Sequence, residues 1–164
     1  MRRLLETLTE MTKAHKQMFR FWSEGYGSLQ RLSELVKGSG LEPGLIELVK
    51  MRASQINGCA YCIDMHSKDA RRQGESEQRL YALSAWRETP FFTDRERSAL
   101  ALTEAVTLLA HEEVGPATIE EASTAFNPDE LTKLLYLIIE INAWNRLAIT
   151  TGTPEPGSYV PTEH

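Results

Sequence analysis

The sequence predicts an all-α protein. Three observations lead there: apolar residues recur at three- and four-residue spacing along nearly the whole chain, no stretch sustains the period-two alternation of a half-buried strand, and the Pro and Gly residues fall between periodic segments rather than inside them. At 164 residues the chain fits one compact domain whose core needs no disulfide support. The expected layout is an N-terminal helical extension over about 1–40, a core over about 41–152 and a tail over 153–164.

The elements follow in order. A first helical region covers Arg2 to Trp22 and a second Tyr26 to Val36, with Gly25 and Gly27 weakening the join and Gly38-Ser39-Gly40 ending it. Pro43 suits the first turn of the next helix, where a missing N–H costs nothing, and Asn57-Gly58 supplies a left-handed stop. A further helix begins near Cys59 and runs to Gln73, closed by Gly74. Ser76 caps a helix through Trp86. Thr93-Asp94-Arg95-Glu96 has the spacing of a capping box and starts a helix to about His111. Pro116 opens another. Asn127-Pro128-Asp129-Glu130 starts a long apolar helix through about Thr150, which Gly152-Thr153-Pro154-Glu155-Pro156-Gly157 breaks.

The charge pattern excludes several partners. The 23 acidic and 18 basic residues are interspersed, the net charge is -5, and there is no basic block, so nucleic acid is not an expected partner. No apolar run approaches the ~18 residues that span a bilayer, and Glu6, Thr7, Thr9 and Glu10 interrupt any signal-type apolar stretch. No membrane association is expected, and the expected location is cytoplasmic. In that reducing compartment a closely spaced cysteine pair is catalytic, redox-sensing or metal-binding more often than structural.

The two cysteines are Cys59 and Cys62. With His66 they stand at i, i+3 and i+7, one stripe of a helix advancing about 100° per residue. A cysteine in the first helical turn faces unpaired N–H groups and the positive end of the macrodipole, which favours thiolate. Cβ atoms at i and i+3 lie about 5–6 Å apart in a regular helix, against roughly 3.5–4.5 Å for a disulfide, so closing the pair requires local distortion. The helix start behind Gly58 is where that distortion is easiest. His66 can exchange a proton with either sulfur near neutral pH. Two thiols and a base are the parts of a thiol peroxidase or a disulfide reductase. A zinc site built on Cys59, Cys62 and His66 is the alternative, with three ligands and no second Cys/His cluster to complete it.

Other residues read more plainly. Glu47 taken alone is a solvated helix residue or an ion-pair partner of Lys50 or Arg52. His15, His111 and His164 read as surface residues. Trp144 and Leu147 read as core or subunit packing, and Asn142, Asn145 and Arg146 as a buried polar network or an interface. Met11, Met18, Phe19, Phe21 and Trp22 form an amphipathic set suited to packing on this domain or on a neighbouring subunit.

Glu47, then Cys59-Ala60-Tyr61-Cys62 twelve residues on, then His66, together with the flanking Ile56-Asn57-Gly58, Leu83-Ser84-Ala85-Trp86-Arg87 and Ile141-Asn142-Ala143-Trp144-Asn145-Arg146, resembles the alkylhydroperoxidase AhpD-like branch of the carboxymuconolactone decarboxylase family. The likeness covers about Leu41 to Gly152. It implies an all-helical fold, assembly into homo-oligomers (trimers or hexamers), and peroxide reduction through the cysteine pair. It also implies roles: Cys62 is attacked by peroxide, Cys59 resolves the sulfenic acid, and Glu47 and His66 form the proton relay. A dithiol reductant, lipoyl-bearing in the best-known members, then restores the pair, and nothing in this reading calls for a cofactor or a metal. The sequence departs from the best-known peroxidases at Tyr61, where they carry a further relay histidine; a phenol with an ordinary pKa near 10 does not act as a base at pH 7. A general thiol-disulfide oxidoreductase, a lactone decarboxylase and a non-enzymatic redox or zinc-binding module are the competing functions.

Overall fold

The computed structural model describes residues 22–111 and 114–161. Among these described residues the regular structure is seven α-helices and one 3-10 helix, and no strand occurs. The all-α expectation holds. The first helical region read from Arg2 to Trp22, and with it His15, Met11, Met18, Phe19 and Phe21, lies outside the described residues, apart from Trp22 at its end.

Helix α1 spans Ser23–Lys37, α2 Pro43–Asn57 and α3 Ala60–Arg72. They are followed by α4 (Glu77–Ala82), the 3-10 helix Leu83–Glu88, α5 (Asp94–Thr107), α6 (Pro116–Ala125) and α7 (Pro128–Thr151). Most boundaries fall at the local signals. Pro43, Pro116 and Pro128 each occupy a first-turn position. Thr93 with Glu96 and Asn127 with Glu130 both form complete capping boxes. Two boundaries differ from the sequence reading. The segment from Ser76 to Trp86 is not one helix: Ala85 breaks it at φ -119°, and Arg97 bonds the carbonyls of Trp86, Thr89 and Arg87, giving those groups partners outside a helix. Helix α5 stops at Thr107 and not at His111, where exposed Leu109 has no core face to extend.

Helix α2 is the centre of the molecule and packs against α3, α5, α7 and the 3-10 helix. Two of its faces are apolar. Leu45, Ile46 and Val49 join Leu102 of α5 and Leu134, Leu137 and Ile138 of α7. Leu48 and Met51 join Leu80, Leu83, Trp86 and Leu100 on the other side. Each such side chain contributes roughly 1.5–3 kcal/mol on full burial. The third face is polar: Glu47, Lys50, Ser54 and Asn57 follow one another at i, i+3, i+7 and i+10, a single helical stripe. That stripe is turned toward α3 and α7, and each member finds its partner there.

Ion pairs tie the flanking elements down. Glu104 of α5 accepts from Arg52 Nε and Trp86 Nε1, both at 2.8 Å, and from Arg87, which ties the 3-10 helix to α2. Burial pushes the Glu104 carboxyl up, but these hydrogen bonds outweigh it and hold it below the ordinary 4.5. Glu96 behaves alike: burial raises it, and Arg79 and Thr93 lower it further. A carboxylate depressed in the folded state stabilises fully above its unfolded pKa and loses that contribution as pH falls through the folded value. Thermal melts are therefore expected to give a level midpoint from pH 7 down to about 5 and a falling one below about 4.5. Glu104→Gln is expected to lower the midpoint at pH 7 and flatten the acid limb; an unchanged acid limb would count against the assignment.

Candidate functional site

The turn between α2 and α3 is built by Gly58, whose φ of +72° places it in the left-handed region that a side chain disfavours. Its N–H reaches the Gln55 carbonyl and the following Cys59 N–H reaches Ser54 O at 3.0 Å, ending α2 sharply. Cys59 is consequently the N-cap of α3 and Cys62 lies in its first turn. The two are joined as a disulfide with a Cα–Cα distance of 5.3 Å, and both are buried. The expected distortion is supplied by position, because an N-cap residue has extended rather than helical backbone (φ -82°, ψ 94°).

One turn beyond Cys62, His66 is 4 % exposed, and its Nδ1 lies 2.8 Å from Glu47 Oε2. Glu47 is thus neither solvated nor paired with Lys50 or Arg52, as its sequence context suggested: Lys50 pairs with Glu140 at 3.3 Å and Arg52 with Glu104. A carboxylate accepting from Nδ1–H fixes the tautomer in which Nε2 carries the lone pair. Nε2 is buried without a hydrogen-bond partner among the described residues.

Two clefts meet at this pair. One, of about 470 Å³, is lined by Cys62, His66, Tyr61, Lys50, Glu140 and Trp144 among others; Cys59 does not line it. The other, of about 590 Å³, is lined by Glu47, His66, Asp69 and Tyr159. His66 therefore has the sulfur chamber on one side and carboxylates on the other. The tail after α7 borders both, with Thr153 and Pro154 in the first and Tyr159 in the second. It is pinned along α3 by Gly157 N–H to Asp64 Oδ2 at 3.1 Å, Lys68 Nζ to Tyr159 O at 3.0 Å, and Tyr159 O–H to Asp69 Oδ1 at 2.8 Å. Burial, then Tyr26, Asp64 and Asp69, raise the Tyr61 phenol above its usual 10, so near neutral pH it is a hydrogen-bond donor and not a base.

The remaining polar stripe is accounted for by α7. Asn145 Nδ2 donates to Ser54 Oγ at 3.0 Å, Asn57 Nδ2 donates to Asn142 and Asn145 Oδ1 at 2.9 Å each, and Asn142 Nδ2 reaches Thr107 Oγ1. The polar network read from Asn142, Asn145 and Arg146 is present: Asn142 and Asn145 are buried, and Arg146, which is exposed, caps it from outside by donating to Asn142 Oδ1 at 2.9 Å. It anchors the end of α2 and hence the Gly58-Cys59 turn. Trp144 and Leu147, read as packing residues, instead line the sulfur cleft, because α7 presents that side to the opening between α1 and α3. Lys50 and Glu140, which the sequence does not single out, also line the sulfur cleft. Polar residues at one helical spacing inside an otherwise apolar helix were the available signal.

The cysteines of the alternative zinc set are bonded to each other, whereas Glu47, His66 and Asp69 have ligating atoms within 4.8 Å of one another. In the structure those groups bond His66 to Glu47 and Asp69 to Tyr159. None of the described helices is long and apolar enough to cross a membrane. His111 is exposed, as read.

The carboxymuconolactone decarboxylase family model matches residues 26–105, which include all four residues of the site. The uncharacterized protein YdfG of Bacillus subtilis (strain 168) is 39 % identical over 129 residues, 79 % of this chain and 88 % of that one. Escherichia coli (strain K12) YnjA, also uncharacterized, is 37 % identical over 108 residues, and that match spans 62 % of this chain and 56 % of YnjA. A crystal structure from Agrobacterium tumefaciens, of a protein of unknown function proposed to be the antioxidant defence protein AhpD, superposes with a TM-score of 0.80 at 38 % identity, covering 85 % of this chain and 95 % of that one. With the family model, the sequence identity to these relatives and the shared helical fold in agreement, the chain belongs to the carboxymuconolactone decarboxylase family, in its alkylhydroperoxidase AhpD-like branch.

Proposed function

We propose that this protein is a thiol-dependent peroxide reductase. The observation that carries the reading is the lone-pair nitrogen of His66, oriented by Glu47, on the wall of the same cleft that Cys62 lines. In the reduced enzyme, Nε2 takes the Cys62 proton, and the thiolate attacks the distal peroxide oxygen. The O–O bond breaks, Cys62 becomes sulfenic acid, and the alkoxide leaving group takes the proton back from His66 to depart as alcohol. The Cys59 thiol then displaces hydroxide from the sulfenic sulfur, which leaves as water, and the Cys59–Cys62 disulfide forms. A dithiol partner, possessing for example a lipoyl arm, reduces the disulfide and is itself oxidised to a disulfide. Glu47 and Asp69, on the second cleft, offer the imidazole a route for proton exchange away from the substrate. Tyr61 contributes a hydrogen bond toward the developing oxyanion.

Tyr61 in the place of a relay histidine favours a second reading, a thiol-disulfide oxidoreductase for which peroxide is an incidental oxidant. Stopped-flow peroxide consumption by the reduced protein, with the disulfide followed by mass spectrometry in the same samples, separates the two. Rapid loss of one peroxide per disulfide formed is expected. A disulfide that forms slowly with peroxide but readily with low-molecular-weight disulfides would replace the peroxidase reading with the exchange reading.

A further inference from the structure

The wall of the sulfur cleft holds a second buried polar atom that makes no hydrogen bond among the described residues, Glu140 Oε2, whose charged neighbour is Lys50. Glu140 is 1 % exposed, although it lines the cleft. His66 Nε2, the other buried atom there without a hydrogen bond among the described residues, is used by the proposed reaction; Glu140 is not. Its Oε1 is fully engaged, accepting from Ser33 Oγ–H, which in turn accepts from Trp144 Nε1 at 2.8 Å, and facing Lys50 Nζ at 3.4 Å. Lys50 Nζ lies 3.3 Å from Oε2 as an ion pair, and Glu140 is its partner among the described residues.

A buried ion pair is a poor way to gain stability, since removing both charges from water costs more than a matching apolar pair would. Holding one on a cleft wall, with a carboxylate oxygen that makes no hydrogen bond and an ammonium whose partner is that carboxylate among the described residues, fits a ligand group that both donates and accepts. A hydroxyl does both. The neighbouring wall fits a ring: Tyr26 and Trp144 stand edge to face with centroids 5.3 Å apart, and Ile141 and Leu147 lie beside them. At about 470 Å³ the cleft is also of the size that takes small organic ligands, far larger than hydrogen peroxide requires.

We propose that the cleft is a specificity subsite for a ring-sized organic substrate bearing a phenol-type hydroxyl, whose O–H donates to Glu140 Oε2 and whose oxygen accepts from Lys50 Nζ. This rests on the reading of Cys62 as the cysteine that attacks a peroxide: the ring and its hydroxyl hold the substrate so that the reacting group faces Cys62. Glu140 and Lys50 touch the substrate without entering the chemistry.

The test is calorimetric binding of 4-cyanophenol and of its methyl ether, 4-cyanoanisole, to the oxidised full-length protein, paired with inhibition of cumene hydroperoxide turnover. The phenol is expected to bind about tenfold or more tightly than the ether, the size of a charge-assisted hydrogen bond. It should also raise KM for the hydroperoxide without changing kcat. In Glu140→Gln the preference is expected to fall below about threefold. Equal affinities in the parent protein would overturn the subsite without recourse to any variant, as would a bound phenol that does not compete. Should no peroxide be reduced at all, the peroxidase reading fails on its own, while the phenol-to-ether ratio and its dependence on Glu140 still decide the subsite.

Discussion

Cys62→Ser is expected to abolish peroxide reduction, a loss of about three orders of magnitude or more, as follows from removing the attacking atom. Cys59→Ser is expected to behave differently. It should consume one equivalent of peroxide at close to the parent rate and then stop, with a sulfenic acid on Cys62 that a dimedone-type reagent traps and mass spectrometry locates. Two features set this asymmetry. Cys62 lines the cleft one turn from His66, while Cys59 is the N-cap residue and does not line it. Helix-start electrostatics alone would favour Cys59, whose position nearer the N-terminus offers more of the macrodipole. Access and a specific base outweigh a partial charge screened within the first turn. Trapped sulfenic acid on Cys59 in the Cys62→Ser protein, with none on Cys62 in Cys59→Ser, would reverse the assignment.

The features legible in the sequence are those that local chemistry determines. Pro43, the Asn57-Gly58 stop and the capping boxes at Thr93 and Asn127 act within a few residues, and the helices begin and end there. The Cys59, Cys62 and His66 stripe is equally local, since one helix carries it. Contacts between helices are another matter. Glu47 lies on the far side of the Gly58 turn from His66, so its role could be taken only from the family resemblance, and its usual reading as a solvated residue or a partner of Lys50 gave way to a buried hydrogen bond. Lys50 and Glu140 are ninety residues apart and meet only because α7 packs against the polar face of α2. Trp144 shows the same limit: helical spacing marks it as half-buried, but whether the buried side meets core or cleft depends on how α1, α3 and α7 splay.

The polar stripe of α2 also explains why one helix can serve both stability and chemistry. Ser54 and Asn57 at its C-terminal end hold the turn that presents the cysteines, through Asn142 and Asn145 of α7. Lys50 lies on the cleft wall, and Glu47 near the N-terminal end orients the histidine. Loosening the turn would move Cys59 relative to Cys62, and loosening Glu47 would move only the base. Substitutions along the stripe are therefore expected to differ in kind: those at Ser54 and Asn57 in stability, those at Glu47 in rate.

The largest rate effect outside the cysteines is expected at His66, and its pH dependence distinguishes lost base catalysis from lost structure. On the proposed mechanism, His66→Asn leaves Cys62 without a proton acceptor, so the thiol must ionise by itself. A cysteine with an ordinary pKa near 8.5 is only about 3 % thiolate at pH 7, which alone lowers the rate roughly 30-fold. Loss of the proton returned to the leaving alkoxide adds to this, for a total of about 10²- to 10³-fold. Glu47→Gln should give a smaller loss, because an amide oxygen still accepts from Nδ1–H but without the charge that stabilises the imidazolium formed when Nε2 takes the proton. The His66→Asn deficit is expected to shrink as pH rises through about 8.5 and solvent takes over the deprotonation, leaving only the leaving-group component. A deficit of constant size from pH 6 to 9.5, in a variant with an unchanged melting midpoint, would mean that His66 positions the cysteine helix and does not carry the proton.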